Sequence, residues 1–463
     1  MPGTTVNSVL FVSGIGGDTR RYRCVHQQEQ LALQNIVTAL YEADDPQFLT
    51  NVFDYDIFVL HRVPYSPLLN LVIELAHAQG KPVVFETDDL IFVPELETHI
   101  AFVDTLSPEA ARRFRSDLAQ LEKTFQRCDC VLTTTEFLAQ EARQRGKPAY
   151  VNRNAPGAEM FHLSEQAWAE RQRRLGLDDL PQPVVIAYFS GTGSHNRDFQ
   201  MIAEPLAWIM SAYPQVWLHI GGHLNLGPAF EPFWDRIRRT PYVTWRELPH
   251  LIAQADINLA PLEQDNPFCQ AKSEIKFVEA ALVGVPTIAS RVEAYEYAIA
   301  DGQDGILVDT SDEWRAALQM LLDHPERRLA MGEAARHSVY TRYTPERRAE
   351  ELWSIFDDAW RKFSAAPVDD DALRHIFLEG VGRYADAIQR QTQQHAAQIA
   401  SLHEALRQYE AQLIAAGQRN ASLQEQFIQL EQHLEAISQG RVMRLMNGFN
   451  RWRERLFRKN RAS

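Results

Sequence analysis

Two glycine-rich runs of this sequence contain residue types that could bind an anion. The first, SGIGGDTR at residues 13–20, follows a short apolar run, and its Gly16 and Gly17 would let the backbone approach a ligand closely. A helix that starts after such a turn favours an anion at its N-terminus. The glycines lack the spacing of a dinucleotide-binding loop, so this run alone is a weak signal.

The second glycine-rich run, FSGTGSHNRD at residues 189–198, adds a fixed cation to the same kind of loop. Its candidate ligand-binding residues are Gly191, Thr192 and Arg197. Exposed backbone donors, a hydroxyl group and an arginine suit a diphosphate. An ordinary strand-to-helix loop with a capping residue explains this run equally well.

A third run, residues 272–286, would place three charged side chains on one face of a helix. Lys272, Lys276 and Glu279 stand at i, i+4 and i+7, and Ser273 is the expected N-cap. The lysines could hold phosphates, and the carboxylate could hold the hydroxyl pair of a sugar. The alternative is a solvated face whose charges pair internally. Apolar neighbours such as Phe277 indicate a buried helix, where charges need partners.

Titratable groups also follow two apolar runs of the first half. Asp88 and Asp89 come after KPVVFE, and an acidic pair there could orient an acceptor hydroxyl or stabilise an oxocarbenium-like transition state. Adjacent side chains in a loop point in different directions, so we expect at most one of them to be catalytic. His61 ends the run DIFVLH and is the third catalytic candidate, although a single histidine at a strand end is as often structural.

The elements that would position these residues follow from an alternation of short apolar runs with amphipathic stretches such as 22–42 and 107–126. This alternation predicts βαβ units and parallel sheets. The expected strands are VLFVS (9–13), DIFVLH (56–61), KPVVFE (81–86), CVLTT (130–134), AYVN (149–152), PVVIAYF (183–189), VWLHIG (216–221), INLAP (257–261), PTIAS (286–290) and GILVD (305–309). We therefore predict an α/β fold with two Rossmann-like, doubly wound domains that face a cleft, where the strand ends would place the ligands.

The run EAALVGVPTIAS at residues 279–290 resembles the donor-binding helix of retaining glycosyltransferases with the GT-B fold, and within them family 4 and its bacterial relatives. Residues 151–154 together with Phe161 are similar to that group's segment between domains, and residues 83–89 resemble a strand end found in a subset. The resemblance covers residues 7–365 and implies a GT-B fold.

The resemblance also implies roles for individual residues. Glu279 would bind the ribose hydroxyls of a nucleotide-sugar donor, and Lys272, Lys276 and Arg197 would hold its diphosphate. A histidine in the place of His61 often lines the active site of the family. The paired glutamate of the family, eight positions before Glu279, is Ala271 here. Glu274 is the candidate substitute.

The implied function is a retaining glycosyltransferase that moves a sugar from a nucleotide-diphosphate-sugar to a hydroxyl of a glycan or lipid-linked acceptor, in polysaccharide or glycan assembly. Two alternatives stay open. One is a nucleotide-sugar epimerase of the same fold, and the other is a catalytically inert, glycosyltransferase-like scaffold. Ala271 favours the scaffold, whereas the retained Lys272, Lys276, Glu279 and Arg197 argue against it.

Changes in composition and turn-rich segments set the expected domain boundaries. They predict an N-terminal Rossmann-like domain on the acceptor side (1–165), a C-terminal Rossmann-like domain on the donor side (166–345), a closing helix (346–365), a linker with a coiled coil (366–440) and a basic amphipathic tail (441–463).

The coiled coil is predicted from apolar residues that alternate steps of three and four between Ile399 and Ile437. Asn420 falls at an a position, where an asparagine sets the register of a parallel dimer. A long helix packed back on the rest of the chain is the alternative. We expect a homodimer formed through this segment.

The tail, residues 441–463, has eight arginines or lysines and one acid, Glu454. At 100° per residue, an apolar strip that includes Phe449 and Trp452 shares one face with arginines around it, which is typical of an interfacial helix on an anionic membrane. Packing of the strip on the protein's own body, or arginines bound to nucleic acid, are the alternatives.

Composition limits the remaining classes. With 463 residues, 45% of them hydrophobic and 23% charged, the chain is globular, and a net charge of −14 argues against a nucleic-acid partner. The four cysteines have neither disulfide nor metal-ligand spacing, so we expect reduced thiols, no metal and no cofactor, the nucleotide-sugar being a substrate. We expect no signal peptide or membrane span, and therefore a cytoplasmic protein that can lie on the inner face of the cell membrane.

Overall fold

The computed structural model describes residues 5–45, 47–93, 95, 103, 106–176, 183–190 and 196–459; the side chains of 437–439, 441, 442, 445 and 452–459 lie outside the description. The chain forms two compact units, residues 1–384 and residues 385–463. The first unit contains both sheets.

The first sheet has six parallel strands in the order β2-β1-β3-β4-β5-β6. The strands are β1 (Ser8–Ser13), β2 (Val37–Glu42), β3 (Ile57–His61), β4 (Val83–Thr87), β5 (Cys130–Thr133) and β6 (Ala149–Val151). The α-helices among them are α1 (Gly17–Arg20), α2 (His26–Leu33), α3 (Gln47–Thr50), α4 (Pro67–Ala78), α5 (Pro108–Arg127) and α6 (Glu136–Gln144). A π-helical turn, Arg21–Val25, joins α1 to α2.

The second sheet repeats this plan, with six parallel strands in the order β12-β11-β10-β7-β8-β9. Its strands are β7 (Val184–Ser190), β8 (Val216–Gly222), β9 (Ile237–Thr240), β10 (Ile257–Ala260), β11 (Thr287–Ser290) and β12 (Ile306–Val308). Its helices are α7 (Ala158–Leu175), α8 (Asn196–Gln200), α9 (Ala203–Ala212), α10 (Leu248–Ile252), α11 (Pro267–Gln270), α12 (Ile275–Leu282), α13 (Glu293–Ala298), α14 (Ser311–Asp323) and α15 (Pro325–Arg342), while Pro228–Arg236 is a 3-10 helix. The α/β fold predicted from the sequence is confirmed.

Nine of the ten predicted strands contain buried residues, and the tenth, β6 at a sheet edge, is half buried. Strands β1, β3, β4 and β5 are buried along their whole length, because helices cover both faces of a parallel sheet. Helix starts are equally local in origin. Ser66 and Ser107 each accept a hydrogen bond from the backbone N–H three residues later, and a proline stands at the first helical position of both helices.

Two strands were not predicted, and both lie at sheet edges. The amphipathic stretch 22–42 was expected to be helical, but its last six residues form β2, and residues 237–240 form β9. Both strands are only half buried, since an edge strand has a neighbour on one side alone. Their sequences, VTALYE and IRRT, therefore lack the continuous apolar run that marks a central strand.

The connections between the two domains differ from the predicted boundaries. Residue 165 lies inside α7, and Ala167 of that helix is buried with Val185 and Val283 of the second domain. The closing helix, α16 (Pro345–Phe363), returns to the first domain, where Phe356 and Trp360 pack in one apolar cluster with strand residues of the first sheet. The chain thus crosses between the domains twice, before α7 and again at α16.

A single helix, α17 (Asp370–Lys459), follows and continues without a break from the predicted coiled coil into the tail. Its first turns belong to the first unit, where Leu373 and Ile376 pack against the apolar core of the first domain. A Cβ at Gly380 would lie 2.3 Å from Leu71 Cδ1, so this glycine allows the close approach of α17 to α4.

In the second unit the helix is exposed to solvent. From Ile399 to Leu434, the large apolar residues of the predicted seam are more than half exposed, from 54% at Ile399 to 72% at Leu413. The dimer itself stays a prediction. Among the helices that the structure describes, none has a stretch that is long and apolar enough to cross a membrane. The four cysteines are free and buried, as expected for reduced thiols.

Candidate active site

A cavity of about 330 Å³ lies between the two domains at the carboxyl ends of their strands. The first domain contributes the acidic pair after β4 and four residues of the segment after β1, namely Asp18, Thr19, Arg21 and Tyr22. The second domain contributes the ends of β7 and β8, the loop before α10, and one face of α12. Parallel sheets place ligands at this edge, so the cavity is the candidate active site.

The acidic pair is held by one arginine. Arg62 donates from Nε to Asp88 Oδ1 at 2.7 Å and from Nη2 to Asp89 Oδ2 at 2.9 Å. Thr19 Oγ1 donates to Asp88 Oδ2 at 2.7 Å. Burial alone would raise the pKa of Asp88, but the attraction of Arg62 outweighs it and holds that pKa well below its usual range. Asp88 is therefore a fixed anion.

Arg62 itself adopts a φ of 49°, in the left-handed region. This backbone conformation is strained by roughly 1–3 kcal/mol for a residue with a bulky side chain, and it persists only where neighbouring contacts stabilise it. The two carboxylates supply these contacts, so the acidic pair and Arg62 form one rigid cluster at the cavity wall.

His61 lies behind this cluster and does not line the cavity. Its Nδ1 is 2.8 Å from Ser13 Oγ, and its Nε2 is 3.5 Å from Thr19 Oγ1. Burial lowers the pKa of His61 to about 3, so the imidazole is neutral near pH 7. His61 thus contacts the threonine that binds Asp88. The structure places this predicted catalytic candidate as a positioning residue.

The donor helix starts later than the sequence suggested. Helix α12 has Glu274 as its N-cap residue, and Ser273 instead accepts a hydrogen bond at Oγ from Asn154 Nδ2 at 3.0 Å. The expectation that Ser273 caps the helix is wrong. Lys272 precedes the helix, so only Lys276 and Glu279 share its face towards the cavity.

These two side chains of α12 have different environments. The Lys276 ammonium lies 4.2 Å from the centre of the Tyr188 ring and makes no hydrogen bond to any described group. Burial lowers the pKa of Lys276 to about 8. Glu279 Oε1 accepts a hydrogen bond from Tyr22 Oη of the first domain at 2.7 Å, and burial raises the pKa of Glu279. A ligand phosphate would provide the missing partner of Lys276.

Lys272 reaches across the cavity. Its Nζ donates to Asp89 Oδ1 at 2.6 Å and lies 4.1 Å from the centre of the Phe268 ring. A buried arginine of the first domain connects Glu86 with Asn154. Arg23 donates to Glu86 Oε1 at 2.5 Å and to Asn154 Oδ1 at 3.0 Å. The Asn154 amide in turn donates to Ser273 Oγ, so polar contacts link the first sheet to the segment just before α12.

Three of the residues that were predicted from the glycine-rich runs to bind a ligand do not line the cavity. Gly16 and Gly17 are exposed and are not among the residues that line the cavity. Arg197 is exposed on α8 and does not line it either. Gly191 and Thr192 lie outside the described residues. The structure therefore gives no support to a diphosphate contact by Arg197.

The candidate substitute for the family's missing glutamate is also placed elsewhere. Ala271 is fully buried in the core of the first domain. Glu274 is buried as well, accepts a hydrogen bond from Tyr343 Oη at 2.9 Å, and is absent from the cavity wall. Glu274 therefore does not replace the family carboxylate. The acids that do line the cavity are Asp18, Asp88, Asp89 and Glu279.

Sequence analysis missed the cavity residues of the first domain that follow the glycine run. Arg21 and Tyr22 line the cavity, and the Arg21 guanidinium lies between the Tyr22 ring and the ring of Trp245. The signal that could have pointed to them is the run RRYR at residues 20–23. It follows the end of a predicted strand, where cationic side chains can reach a ligand.

One described group could supply three metal ligands. Asp198, Glu263 and Cys269 bring one potential ligand atom each within 4.8 Å of one another. Burial raises the pKa of Cys269, and the thiol donates to Asp198 Oδ1 at 3.4 Å. Asn266 Nδ2 donates to Glu263 Oε2 at 2.8 Å. Hydrogen bonds thus account for the group, and the absence of a metal stays a prediction.

Comparisons with known proteins agree with this architecture. Residues 202–354 match the model of the glycosyl transferase-like family. A D-inositol 3-phosphate glycosyltransferase of Corynebacterium diphtheriae is 40% identical over 223 residues, which is 44% of this chain and 50% of that protein. The corresponding enzyme of Corynebacterium kroppenstedtii is 29% identical over 233 residues, or 46% of this chain and 49% of that protein. The chain thus spans about half the length of these curated relatives.

Solved structures match over more of the chain. Anabaena HepE, crystallised with UDP, covers 76% of this chain with 100% of its own length, at a TM-score of 0.53 and 14% identity. Sucrose-phosphate synthase of Thermosynechococcus elongatus covers 77% with 99% of its own length, at a TM-score of 0.55 and 13% identity. Such low identity shows the fold alone. The chain thus has the GT-B fold, and residues 202–354, most of which lie in the second domain, match the glycosyl transferase-like family.

Proposed function

We propose that this chain is a retaining glycosyltransferase that transfers a sugar from a nucleotide-diphosphate-sugar to a hydroxyl acceptor. One observation carries the proposal: Lys276 and Glu279 share a face of α12 towards the cavity, and the Lys276 ammonium has no hydrogen-bond partner among the described residues. A diphosphate beside Lys276 and a ribose beside Glu279 would satisfy both groups.

We propose a different role for the residues on each wall of the cavity. Lys272 and Lys276 would stabilise the negative charge that develops on the departing diphosphate, since fixed cations in a shielded site act strongly on such charge. Asp88 and Asp89 lie on the opposite wall, where a carboxylate can orient the attacking hydroxyl. Retention of anomeric configuration is proposed from the resemblance to the retaining GT-B enzymes.

The relatives support the reaction class. The curated relatives are glycosyltransferases that are named for D-inositol 3-phosphate, and HepE has been crystallised with UDP-glucose. A nucleotide-sugar donor is therefore proposed for this chain too. For the acceptor we propose a glycan or a lipid-linked glycan, as part of polysaccharide or glycan assembly.

Two partners belong to the proposal. The exposed apolar seam of α17 between residues 399 and 434 would pair with a second copy of the chain. The basic tail after residue 440 would dock on an anionic membrane, where a lipid-linked acceptor is within reach. Dimerisation would present two tails to one surface and so strengthen docking.

The experiment that tests the activity uses the full chain and a panel of UDP-, GDP- and dTDP-sugars. We expect one of them to raise the unfolding temperature, because a ligand that binds only the native state stabilises it by mass action. The same donor should then be hydrolysed, or transferred to an added acceptor. Failure of every donor to bind or turn over would contradict the proposal.

A second candidate is the catalytically inert scaffold. It is favoured by Ala271, which is buried where the family has its paired glutamate, and by Glu274, which does not reach the cavity. The same panel separates the two functions: a scaffold that keeps the fold would bind a nucleotide without turning over its sugar.

A further inference from the structure

Arg21 presents to the cavity, from the first domain, a guanidinium with one nitrogen that lacks a hydrogen-bond partner among the described residues. It is 9% exposed and lies in the π-helical turn Arg21–Val25. Its guanidinium carbon is 4.4 Å from the centre of the Tyr22 ring and 4.7 Å from that of Trp245, which belongs to the second domain. Stacking between two aromatic rings fixes the plane of the guanidinium.

The hydrogen bonds of Arg21 leave one end of the guanidinium unused. Nε and Nη2 both donate to Asp18 Oδ1, at 3.3 and 3.1 Å. Asp18 is held in turn at Oδ2 by Tyr242 Oη at 2.9 Å. Nη1 is buried and has no hydrogen-bond partner among the described residues. A buried charged donor without a partner is costly, so such a group indicates a missing acceptor.

Lys276 is the second such group in the same cavity, and it belongs to the opposite domain. Both cations lie near Glu279, because the positive charge of each lowers the pKa of that carboxylate against the effect of burial. Lys272 and Arg62 differ from them, because neither has a buried nitrogen without a partner: Lys272 binds Asp89, and Arg62 binds both acids of the pair. The two unused donors thus point to a single anionic ligand.

We propose that Arg21 binds a phosphate group of the nucleotide donor, so that the diphosphate is held by one cation from each domain. The identity of the ligand rests on the proposed function. The phosphate contact expected of Arg197 would then be made by Arg21, on the other side of the cleft. A donor held in this way favours the closed arrangement of the two domains, because each domain alone offers only half of the contact.

The test compares Arg21→Gln with Arg20→Gln in the full-length chain. Arg20 is the matched control, because it lies one residue earlier, pairs with the exposed Glu42 and does not line the cavity. Calorimetry would measure the Kd of uridine, UMP and UDP, or the corresponding series for the base that the wild-type chain prefers. Unfolding temperatures would show that both variants are folded.

We expect Arg21→Gln to weaken UDP binding by about tenfold or more, because a hydrogen bond between charged groups is lost. Uridine binding should be unchanged. Arg20→Gln should bind all three ligands as the wild type does. Arg21→Lys, which keeps the charge but not the planar fork, should also weaken UDP binding, and it serves as the test if the glutamine variant does not fold.

Two results would overturn the inference. UDP could bind Arg21→Gln or Arg21→Lys with wild-type affinity, or uridine could lose as much affinity as UDP, which would assign Arg21 to the nucleoside. If the wild-type chain binds no nucleotide at all, the proposed function fails, and this inference fails with it.

Discussion

Lys272 and Asp89, from opposite domains and 183 residues apart in the chain, form an ion pair with 2.6 Å between Nζ and Oδ1. The pair joins a candidate phosphate ligand to a candidate catalytic acid. A donor diphosphate that binds Lys272 would break this ion pair. Asp89 Oδ1 would then be available to contact the acceptor. Under the proposed function, the donor and acceptor sites would be coupled through the Lys272 side chain.

This pair predicts the effect of Asp89→Asn. The variant removes the charge that competes with the diphosphate for Lys272, so UDP affinity should rise by several-fold. Transfer to an acceptor should fall, because the acid that orients the hydroxyl is lost. Calorimetry and a transfer assay measure the two effects, with Asp129→Asn as a control outside the cavity. Weaker UDP binding in Asp89→Asn would contradict the competition.

Glu279→Ala should impair transfer by about tenfold to a hundredfold, because the carboxylate that would hold the ribose hydroxyls is gone. The unfolding temperature should change little, since Glu279 lines the cavity rather than the apolar core. Glu296→Ala is the matched control on the exposed side of α13. Initial rates at several donor concentrations show the effect. Wild-type kinetics in Glu279→Ala would exclude this role.

Donor binding should weaken as the pH rises through about 8. Burial lowers the pKa of Lys276 from its ordinary value near 10.5 to about 8, so the empty site loses this positive charge above that pH. The same shift means that the unfolded chain binds the proton more tightly, and this group's contribution to stability therefore increases from pH 8 to pH 10.5.

Calorimetric titration with UDP at pH 7, 8 and 9 measures the change in affinity. Lys276→Arg keeps a positive charge throughout this range, so its UDP affinity should be independent of pH. An unchanged pH profile in that variant would show that another group is responsible.

The chain should be a dimer at micromolar concentration. The seam residues Leu406 and Leu413 are 56% and 72% exposed in the single chain, and a second copy would bury them. Sedimentation of the variant with aspartate at both positions should give a monomer. Ile414→Asp, which changes an equally exposed residue off the seam, should stay a dimer. A wild-type monomer would contradict the prediction.

The orientation of the helices can be tested separately. In a parallel, in-register pair Asn420 would lie opposite Asn420 of the second copy. The native cysteines are buried, so Asn420→Cys offers a single accessible thiol on the helix. Mild oxidation should then cross-link the two chains. Failure to cross-link a proven dimer would favour an antiparallel arrangement.

The tail should bind anionic vesicles. Met443, Met446 and Phe449 are each more than half exposed on α17, and each nearby basic residue can add about 1 kcal/mol of attraction to an anionic surface. Full-length protein should co-sediment with vesicles rich in phosphatidylserine, and a chain that ends at Gln439 should stay in solution. A full-length variant with glutamine at positions 444, 451, 455 and 458 separates charge from apolar contact. Equal binding by all three proteins would overturn the prediction.

Much of the fold could be predicted because its signals are local. The central strands are buried on both faces and so form continuous apolar runs, and several helices, α4 and α5 among them, begin at serine caps. The run that starts at Glu279 carried the resemblance to the glycosyltransferases, and the helix predicted there is α12. The edge strands β2 and β9 were not predicted, because their half-buried sequences lack a continuous apolar run.

The candidate site was predicted in part. Lys276, Glu279, Asp88 and Asp89 do line the cavity, since each stands just after a strand or on an amphipathic helix whose position follows from the βαβ order. Arg197 and His61 fulfil the same local criteria and yet lie outside the cavity wall. Nothing in the spacing of residues distinguishes a side chain at the wall from one behind it.

Local sequence by itself therefore determined the two parallel-sheet domains, the long C-terminal helix and the charged face of α12. Only the tertiary structure decided that Arg21 stacks on Trp245, that Lys272 binds Asp89, and that Glu274 is buried with Tyr343. The physical reason is that backbone elements follow from periodicity and caps over a few residues. Partners in a cavity are chosen by packing between segments that are far apart in the chain, and only the packed domains show which charges remain without a partner.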